Sequence, residues 1–464
     1  MATPNPNDVV MKIKTMLEKG QPRFTKECCI YKVPHNIYAY TPEIVSIGPF
    51  HHGDEKLLKM EDHKRLYCKQ FIERSETNKL ESFVNCVQEL EPKIRACYSD
   101  DTKLSKEEHV MVILVDCCFI LEFLLRYHFM LTRGDDAILL PTRLRVYIRY
   151  DLLLLENQVP FFVLDKLYNL LFPSTFIGRS HDRHPLLLSL ALYHVVPCRI
   201  IFPGDYKGEL SVSNVGGIAH FTDLSRKLLL LSCNLSISRC SREAQIVQIY
   251  SATELKEAGV KFEVNKASQC LLDLQLSGHS LRIPFFRVED ITEVVLRNLL
   301  AFEQCHCIDE SYLADYIAVL DFLINTDKDV DLLIKNGIIE NWLDDSNAVA
   351  KMFNGLGVNI MYPDFNVQYS LIFQRLNDFC ARPWNKKVAT YCNTPCKTVV
   401  SIAGFFCLFS LLFRQYFLFS KEYTSTRLLF DIFVIGRIEV FIMNMWPLYY
   451  VIIEDHCIRQ LPSL

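Results

Sequence analysis

Residues 144–171 have the sequence LRVYIRYDLLLLENQVPFFVLDKLYNLL, and this stretch predicts the helical character of the chain. Apolar residues recur at helical spacing on both sides of Pro160. Proline interrupts a helix from within but suits the first turn of a new one. The stretch therefore predicts an antiparallel pair of helices that meet at Pro160.

The polar triplet Glu-Asn-Gln at 156–158 lies at this corner. It could form a functional polar site. We favour a structural role, because a helix corner must satisfy its free backbone carbonyl groups. In that role Asn157 and Gln158 bind backbone groups beside Pro160, and Glu156 faces a cation such as Arg149 or Lys166.

Helical patterns continue toward the N-terminus. The sequence KEEHVMVILVDCCFILEFLLRYHFML (106–131) is apolar but contains Asp116 and Glu122, so we expect a buried core helix and not a membrane span. The stretch KLLKMEDHKRLYCKQFIERS (56–75) predicts another helix, because Leu57, Met60, Lys64, Tyr67 and Phe71 recur at a spacing of three and four. In contrast, the many Pro, Gly, His and Ser residues of 173–218 predict a long surface loop.

The region 258–288 has a different pattern. GVKFEV alternates apolar and polar residues, and two more alternating runs flank Gly278-His279, which is typical of a β-hairpin. Helical patterns return after it. We therefore predict a mainly α-helical fold with a small β-hairpin or sheet around 258–288.

Composition limits the classes of partner. The 464 residues include 50 basic and 54 acidic side chains, a net charge of −4, and the basic residues are evenly spread. Nucleic-acid binding requires a concentrated basic surface, so we expect no nucleic-acid partner. Many of the 18 cysteines lie in apolar surroundings, where a free thiol behaves as a small hydrophobic group. We favour reduced cysteines over disulfides, although one glycosylation pattern at 234–236 is weak evidence for export.

The two ends of the chain differ in character. Residues 1–27 predict a polar arm without a signal peptide, and it contains an amphipathic patch made of Val9, Val10, Ile13, Met16 and Leu17. Residues 398–413 (TVVSIAGFFCLFSLLF) carry no charge. Continued to Phe419, they approach the roughly 20 residues that a bilayer requires. Because apolar residues cover all faces, we predict a transmembrane helix over 398–419.

The predicted organisation is a polar arm (1–27), a helical domain (28–397), the transmembrane helix (398–419) and an atypical C-terminal tail (420–464). Basic residues are denser before the helix than after it, and basic flanks stay in the cytosol. We therefore expect a single-pass protein of the plasma membrane or an endomembrane, with most of the chain in the cytosol. An altered reading frame or splice form could explain the tail.

Six ordered segments carry a resemblance to a known family. They are VSIGPFHHGDEKLLKMEDHK (45–64), DCCFILEFLL (116–125), DLLLLENQVPFFVLDKL (151–167), ATELKEAGVKF (252–262), IPFFRVEDITEVVLRNLLAFEQC (283–305) and YIAVLDFLINTDKDVDLLIKNGIIEN (316–341). Over about residues 28–415 the chain resembles the plant family named domain of unknown function 247.

This resemblance implies a helical domain followed by a C-terminal membrane helix, without an assigned catalytic activity. Some grass members are linked to pollen–stigma self-incompatibility, which implies recognition or signalling and not metabolism. Members usually end soon after the membrane segment, whereas this chain continues to residue 464.

The densest polar cluster comprises His51, His52, Asp54, Glu61 and His63. A metal site needs converging ligands. Adjacent His51 and His52 point different ways in an extended chain, and His63 does not share a helix face with Glu61. We therefore favour loop and cap hydrogen bonding over metal binding.

Two cysteine-containing patterns could suggest zinc. Cys305-His306-Cys307 and Cys392-x-x-x-Cys396 both lack a well-spaced second pair of ligands, so the zinc signal is weak. We assign no catalytic, cofactor-binding or metal-binding residue, and we expect no cofactor.

We expect a membrane-anchored protein that binds an unidentified protein partner in recognition or signalling. The alternative is an enzyme, for example a hydrolase, with an unrecognised active site, since cysteine and histidine are plentiful but form no known motif. A third possibility is a soluble structural protein that buries 398–419 in its core. A deep pocket with converging His, Cys and carboxylate groups would favour the enzyme.

Overall fold

The computed structural model describes residues 6–19, 26–33, 38–75, 79–129, 141–173, 186–203, 216–231, 233, 239–241, 250–358 and 364–381. These residues belong to one compact unit, Met1–Lys386. The predicted transmembrane helix 398–419, the tail 420–464 and the cysteines at 392 and 396 lie outside the described residues. Within the described ranges, no helix is both long and apolar enough to cross a membrane.

Helices form most of the described structure, which confirms the predicted mainly α-helical fold. In chain order they are α1 (Pro6–Lys19), α2 (Lys59–Glu73), α3 (Leu80–Ala96), α4 (Lys106–Phe129), α5 (Thr142–Asp151), α6 (Phe161–Leu171), α7 (Leu187–His194), α8 (Cys198–Ile201), α9 (Phe221–Leu231), α10 (Ala252–Glu257), α11 (Thr292–His306), α12 (Tyr312–Leu323), α13 (Asp327–Lys335), α14 (Ser346–Leu356) and α15 (Val367–Ala381). Short 3-10 helices lie at Tyr38–Tyr40 and Ile308–Glu310.

The strands are short. They are β1 (Arg239–Ser241), β2 (Lys261–Val264), β3 (Gln275–Ser277), β4 (Ser280–Ile283), β5 (Phe286–Val288), β6 (Ile339–Asn341) and β7 (Asp364–Asn366). Antiparallel β3 and β4 flank Gly278-His279, which confirms the predicted hairpin, and β2 joins the same sheet parallel to β4. Two further pairs, parallel β5–β6 and antiparallel β1–β7, extend beyond the predicted region.

The core is organised around α4. Helices α2, α3, α6 and α7 all pack against it, and its acidic residues Asp116 and Glu122 are fully buried. Each buried charge has a partner: the Glu122 carboxylate lies 2.6 Å from the guanidinium nitrogens of Arg74 and of Arg126, and Asp116 lies 2.5 Å from the ammonium of Lys64. The predicted core helix is therefore confirmed.

Two local predictions are wrong. Helix α6 begins directly after Pro160, as predicted, but α5 already ends at Asp151, residues 152–160 form a buried connection, and α6 packs against α3 and α4. The predicted antiparallel pair is therefore wrong. Side-chain hydrogen bonds within this connection replace the helical ones, as described below. The predicted surface loop 173–218 contains α7 and α8, because apolar residues such as Leu187, Leu190 and Ile200 are buried there.

The cysteines are mostly free. Cys233 is bonded to Cys270, so the expectation of reduced cysteines is wrong for this pair. Eleven other cysteines of the described structure are free, and most of them are buried.

Candidate functional site

The end of α5 at Asp151 and the buried connection 152–160 bind the backbone of residues 43–48, which contain the start of the first family-like segment. The Asp151 carboxylate accepts hydrogen bonds from the amides of Glu43, Ile44 and Val45 at 2.8–3.0 Å. Burial raises the pKa of Asp151 to about 6, and the three amides oppose this shift because they stabilise the ionised form. Asp151 therefore fixes the path by which the chain enters the core.

Asn157 continues this attachment. Its side-chain oxygen accepts a hydrogen bond from the amide of Ile47 at 2.7 Å. Its side-chain nitrogen donates to the carbonyl groups of Val45 and Asp151, both at 3.0 Å. Fully buried Asn157 thus replaces backbone pairing between two segments that are far apart in sequence.

Gln158 stabilises the connection itself. Its side-chain nitrogen donates to the carbonyl groups of Leu152 and Leu154 at 2.7 and 2.8 Å, and its oxygen accepts from the amide of Phe221 at 3.1 Å. The predicted structural role of Asn157 and Gln158 is confirmed, although most of their partners are not the groups beside Pro160.

Glu156 has a different partner from the one expected. One carboxylate oxygen accepts a hydrogen bond from the amide of Val33 at 2.7 Å, and the other lies 3.2 Å from Nε2 of His51. The imidazole nitrogen is not aligned for a hydrogen bond, so this contact is an ion pair only when His51 is protonated. The predicted pairing with Arg149 or Lys166 is wrong, because residues 33 and 51 occupy the carboxylate.

Gly48 lies where the two segments approach most closely. Its φ is +73°, and its amide donates to the Asp116 carboxylate at 2.8 Å. A Cβ at this position would lie 2.4 Å from the carbonyl oxygen of Gln158 and 3.0 Å from the hydroxyl of Tyr98. Only glycine fits both the backbone conformation and the space.

The structure separates the predicted His/Asp/Glu cluster. His51 faces Glu156, His52 is exposed, Asp54 accepts a hydrogen bond from the amide of Lys56 at 3.0 Å, and Glu61 contacts the ammonium of Lys64 at 2.6 Å. Asp54 thus makes the loop hydrogen bond that the sequence predicted. In the described ranges, no three His, Cys, Asp or Glu side chains are arranged to hold a metal ion.

The Cys305-His306-Cys307 pattern lies at the C-terminal end of α11. Nδ1 of His306 is 3.0 Å from the hydroxyl of Tyr31, which also donates to the Cys28 carbonyl at 2.9 Å. Desolvation raises the pKa of the half-buried Cys307 thiol to about 11. Although Cys305 and His306 are exposed, partial desolvation also raises the pKa of Cys305 and lowers the pKa of His306. A nucleophilic cysteine requires the opposite shift. This arrangement therefore does not produce a thiolate.

Sequence reasoning missed an acidic surface depression of about 410 Å³ near the start of α11. It is lined by Glu289, Asp290, Glu293, Leu343, Ala348, Lys351 and Met352. Three carboxylates face a single ammonium group, so the depression favours a cationic ligand.

Two exposed aromatic residues adjoin residues that line this depression, Trp342 along the chain and Tyr38 through a hydrogen bond. Trp342, beside Leu343, is 56% exposed, and the guanidinium of Arg287 lies 5.3 Å from the centre of its ring. Tyr38 is 65% exposed and donates a hydrogen bond to Glu293 at 2.6 Å. Trp, Tyr and Arg are the residues most enriched in protein-binding hot spots. The exposure of Trp342 and Tyr38 depends on how the surrounding helices pack, so no local sequence pattern could have indicated this surface.

The chain is similar to a plant protein family and to proteins of Arabidopsis thaliana. The model of a family described as a plant protein of unknown function matches residues 30–413. A UPF0481 protein of Arabidopsis thaliana is 29% identical over 387 residues, which cover 78% of this chain and 79% of that protein. Another UPF0481 protein of the same plant is 23% identical over 403 residues, covering 69% of this chain and 75% of that protein. No solved structure matches the chain.

Proposed function

Since this chain belongs to the plant family named domain of unknown function 247, which it matches over residues 30–413, we propose that it is a membrane-anchored protein that binds another protein in recognition or signalling. The six ordered segments that suggested the family all lie within this match.

The observation that carries the proposal is the uncharged run 398–413. Extended to Phe419, it has about the length of a membrane span. Arg414 interrupts the extension, but a long arginine side chain near the end of a span reaches the headgroups. The helical domain before residue 398 then lies in the cytosol, and the membrane is one partner of the chain.

The acidic depression supports the second part of the proposal. Its lining is net negative, and an exposed tryptophan and an exposed tyrosine adjoin residues of that lining, which together suit a protein partner that inserts a basic or apolar side chain. We therefore place the partner-binding surface around Trp342 and Glu293. The partner is a protein and not a nucleic acid, since the surface and the whole chain are acidic.

Carbonate extraction tests the anchor. The full chain and a variant that ends at residue 397 are expressed in plant cells. We expect the full chain to resist carbonate and the shorter chain to be released. If both are released, the span does not exist.

Protease protection in sealed microsomes tests the orientation. We expect the domain before residue 398 to be digested without detergent. If it is shielded until detergent is added, or if Asn234 carries a glycan, the domain faces the lumen.

Affinity capture from plant membranes tests the partner surface. A protein recovered with the full chain should be reduced at least tenfold by Trp342→Ala, because central hot-spot residues contribute about 2 kcal/mol or more. Tyr193→Ala is the matched control, since Tyr193 is 76% exposed but lies on α7. Equal recovery with both variants would show that the partner binds elsewhere. Hydrolysis of an ester or amide by the purified chain, unchanged by Trp342→Ala, would favour the enzyme instead.

A further inference from the structure

Helix α1 exposes an apolar face. Val9, Val10 and Ile13 are 42%, 49% and 49% exposed, and all residues from 9 to 15 are exposed, including Met11 (70%) on the opposite side of the helix. An amphipathic helix in a globular protein normally buries its apolar face against the core. The described part of the chain does not cover this face.

The lysines of α1 indicate what covers it. At 100° per residue, Val9, Val10 and Ile13 share an arc of about 100°. Lys14 follows this arc by about 40° and Lys12 precedes it by about 60°, so an ammonium group flanks each edge. Helices that lie on a bilayer surface have this arrangement, because lysine stems extend along the apolar boundary while their charges reach lipid phosphates.

We propose that α1 lies on the surface of an anionic lipid bilayer, with Val9, Val10 and Ile13 inserted between the headgroups. This inference rests on the proposed function, since an anchored chain holds α1 near a membrane, and it adds a second contact that depends on lipid charge. Anionic lipids are concentrated in the cytosolic leaflet. Binding of α1 there agrees with a cytosolic domain.

Hydrogen–deuterium exchange on the full chain provides the test. The chain is mixed with vesicles of phosphatidylcholine alone or of phosphatidylcholine with phosphatidylserine. We expect the amides of residues 10–19 to exchange at least tenfold more slowly with the phosphatidylserine vesicles. Replacing Lys12 and Lys14 together by Gln should remove most of the difference between the two lipid compositions, since each lysine contributes about fivefold.

Two glutamate variants separate insertion from charge. Ile13→Glu places the charge on the apolar face and should abolish the protection. Thr15→Glu makes the same charge change on the opposite face, about 160° from Ile13. It should weaken the protection no more than about fivefold, the effect of one charge.

Two outcomes would overturn the inference. Exchange that is equal with and without phosphatidylserine shows that α1 does not bind anionic lipid. Protection that rises with protein concentration in the absence of lipid shows that a second copy covers the face.

The proposed anchor can fail independently of α1. If residues 6–19 are unprotected while the chain resists carbonate, only this inference fails. If they are protected while carbonate releases the chain, the helix binds lipid and the transmembrane anchor is wrong.

Discussion

Gly48 provides the sharpest test at the scale of single residues. Gly48→Ala requires a left-handed backbone at φ +73° and places a Cβ 2.4 Å from the carbonyl oxygen of Gln158. We expect a loss of more than about 3 kcal/mol in the free energy of unfolding, from backbone strain and overpacking together. Urea denaturation of the full chain in mild detergent measures it.

Gly53 is the matched control. Its φ is +85°, but a Cβ there would have no neighbour within 4 Å. Gly53→Ala should therefore cost only the conformational term, about 1 kcal/mol. If the two variants are equally stable, the close approach of the two segments at Gly48 is wrong.

His220 should make the fold sensitive to acid. It is fully buried, its Nε2 donates to the Cys29 carbonyl at 2.9 Å, and its Nδ1 accepts from the amide of Asp223 at 3.3 Å. Burial lowers the pKa of His220 from 6.5 to about 4. Between these values the unfolded chain binds the additional proton, so stability decreases as the pH falls. The expected contribution is a loss of about 2 kcal/mol between pH 7.5 and 5.0.

Chemical denaturation at the two pH values checks this contribution. His220→Gln is less stable at pH 7.5 because it disturbs two hydrogen bonds, but it should lose about 2 kcal/mol less than the wild type on acidification. His52→Gln, at an exposed position, is the surface control for a histidine-to-glutamine change. If the free energy of unfolding of His220→Gln decreases with falling pH as steeply as that of the wild type, His220 is not the source of the acid sensitivity.

The sequence predicted the role of those residues whose role depends on adjacent positions in the chain. Asn157 and Gln158 follow an apolar run and precede Pro160, so their backbone-binding role could be predicted. The partners of Glu156 could not be predicted, because His51 and Val33 are more than a hundred positions away in the sequence and only the tertiary fold brings them close. Asp151, which binds three amides, was overlooked even though a carboxylate at the start of a leucine run is unusual.

At the scale of elements, Asp329 joins two helices. Its carboxylate accepts hydrogen bonds from the amide and hydroxyl of Thr253 at the start of α10, and from the amide and hydroxyl of Thr326 before α13. These hydrogen bonds outweigh burial and lower the pKa of Asp329. We expect Asp329→Ala to reduce the free energy of unfolding by about 2–4 kcal/mol, because four part-buried donors of Thr253 and Thr326 lose a buried charged acceptor.

Thermal unfolding of three variants separates this role from helix capping. Asp327→Ala removes a carboxylate from the same first turn of α13, but Asp327 is exposed, so the cost should stay below about 1 kcal/mol. Asp329→Asn keeps one acceptor oxygen, so its loss of stability should lie between those of Asp327→Ala and Asp329→Ala. If Asp327→Ala and Asp329→Ala have equal effects, Asp329 acts only on the helix dipole.

Elements with strong local patterns were predictable. The long apolar run, although it contains Asp116 and Glu122, predicted α4, and alternation around Gly278-His279 predicted the β3–β4 hairpin. The parallel β5–β6 pair was not predictable, since each strand has three residues and the paired residues are 53 positions apart. The start of α11 depends on a contact that the helical pattern did not indicate: the Thr292 hydroxyl accepts a hydrogen bond from the amide of Glu289.

At the scale of the whole molecule, the family and the fold class followed from the sequence, whereas the acidic depression did not. The depression combines residues from the β5–α11 and β6–α14 regions, and their proximity depends on how the helices pack. The predicted domain boundaries, the membrane span and its orientation remain predictions.

The Cys233–Cys270 bond gives the orientation a chemical test. The structure bonds Cys233 to Cys270, whereas cytosolic thiols are kept reduced. The proposed cytosolic orientation therefore predicts that this pair is reduced in the cell, opposite to its state in the structure, and that both residues are recovered as free thiols. In intact plant membranes, one alkylating reagent is added before reduction and a second one after it. The first labels thiols that were free, the second labels thiols that were bonded, and mass spectrometry distinguishes the two labels. Recovery of the pair in its bonded form would show that the domain folded in an oxidising compartment.

The same bond couples the stability of the fold to the glutathione potential around it. It joins cysteines 37 positions apart, and closing a loop of that length stabilises a folded chain by about 4 kcal/mol. An identical domain would therefore unfold, and be degraded, at different rates on the two sides of one membrane. A change of compartment would alter the abundance of this protein without any change in its sequence.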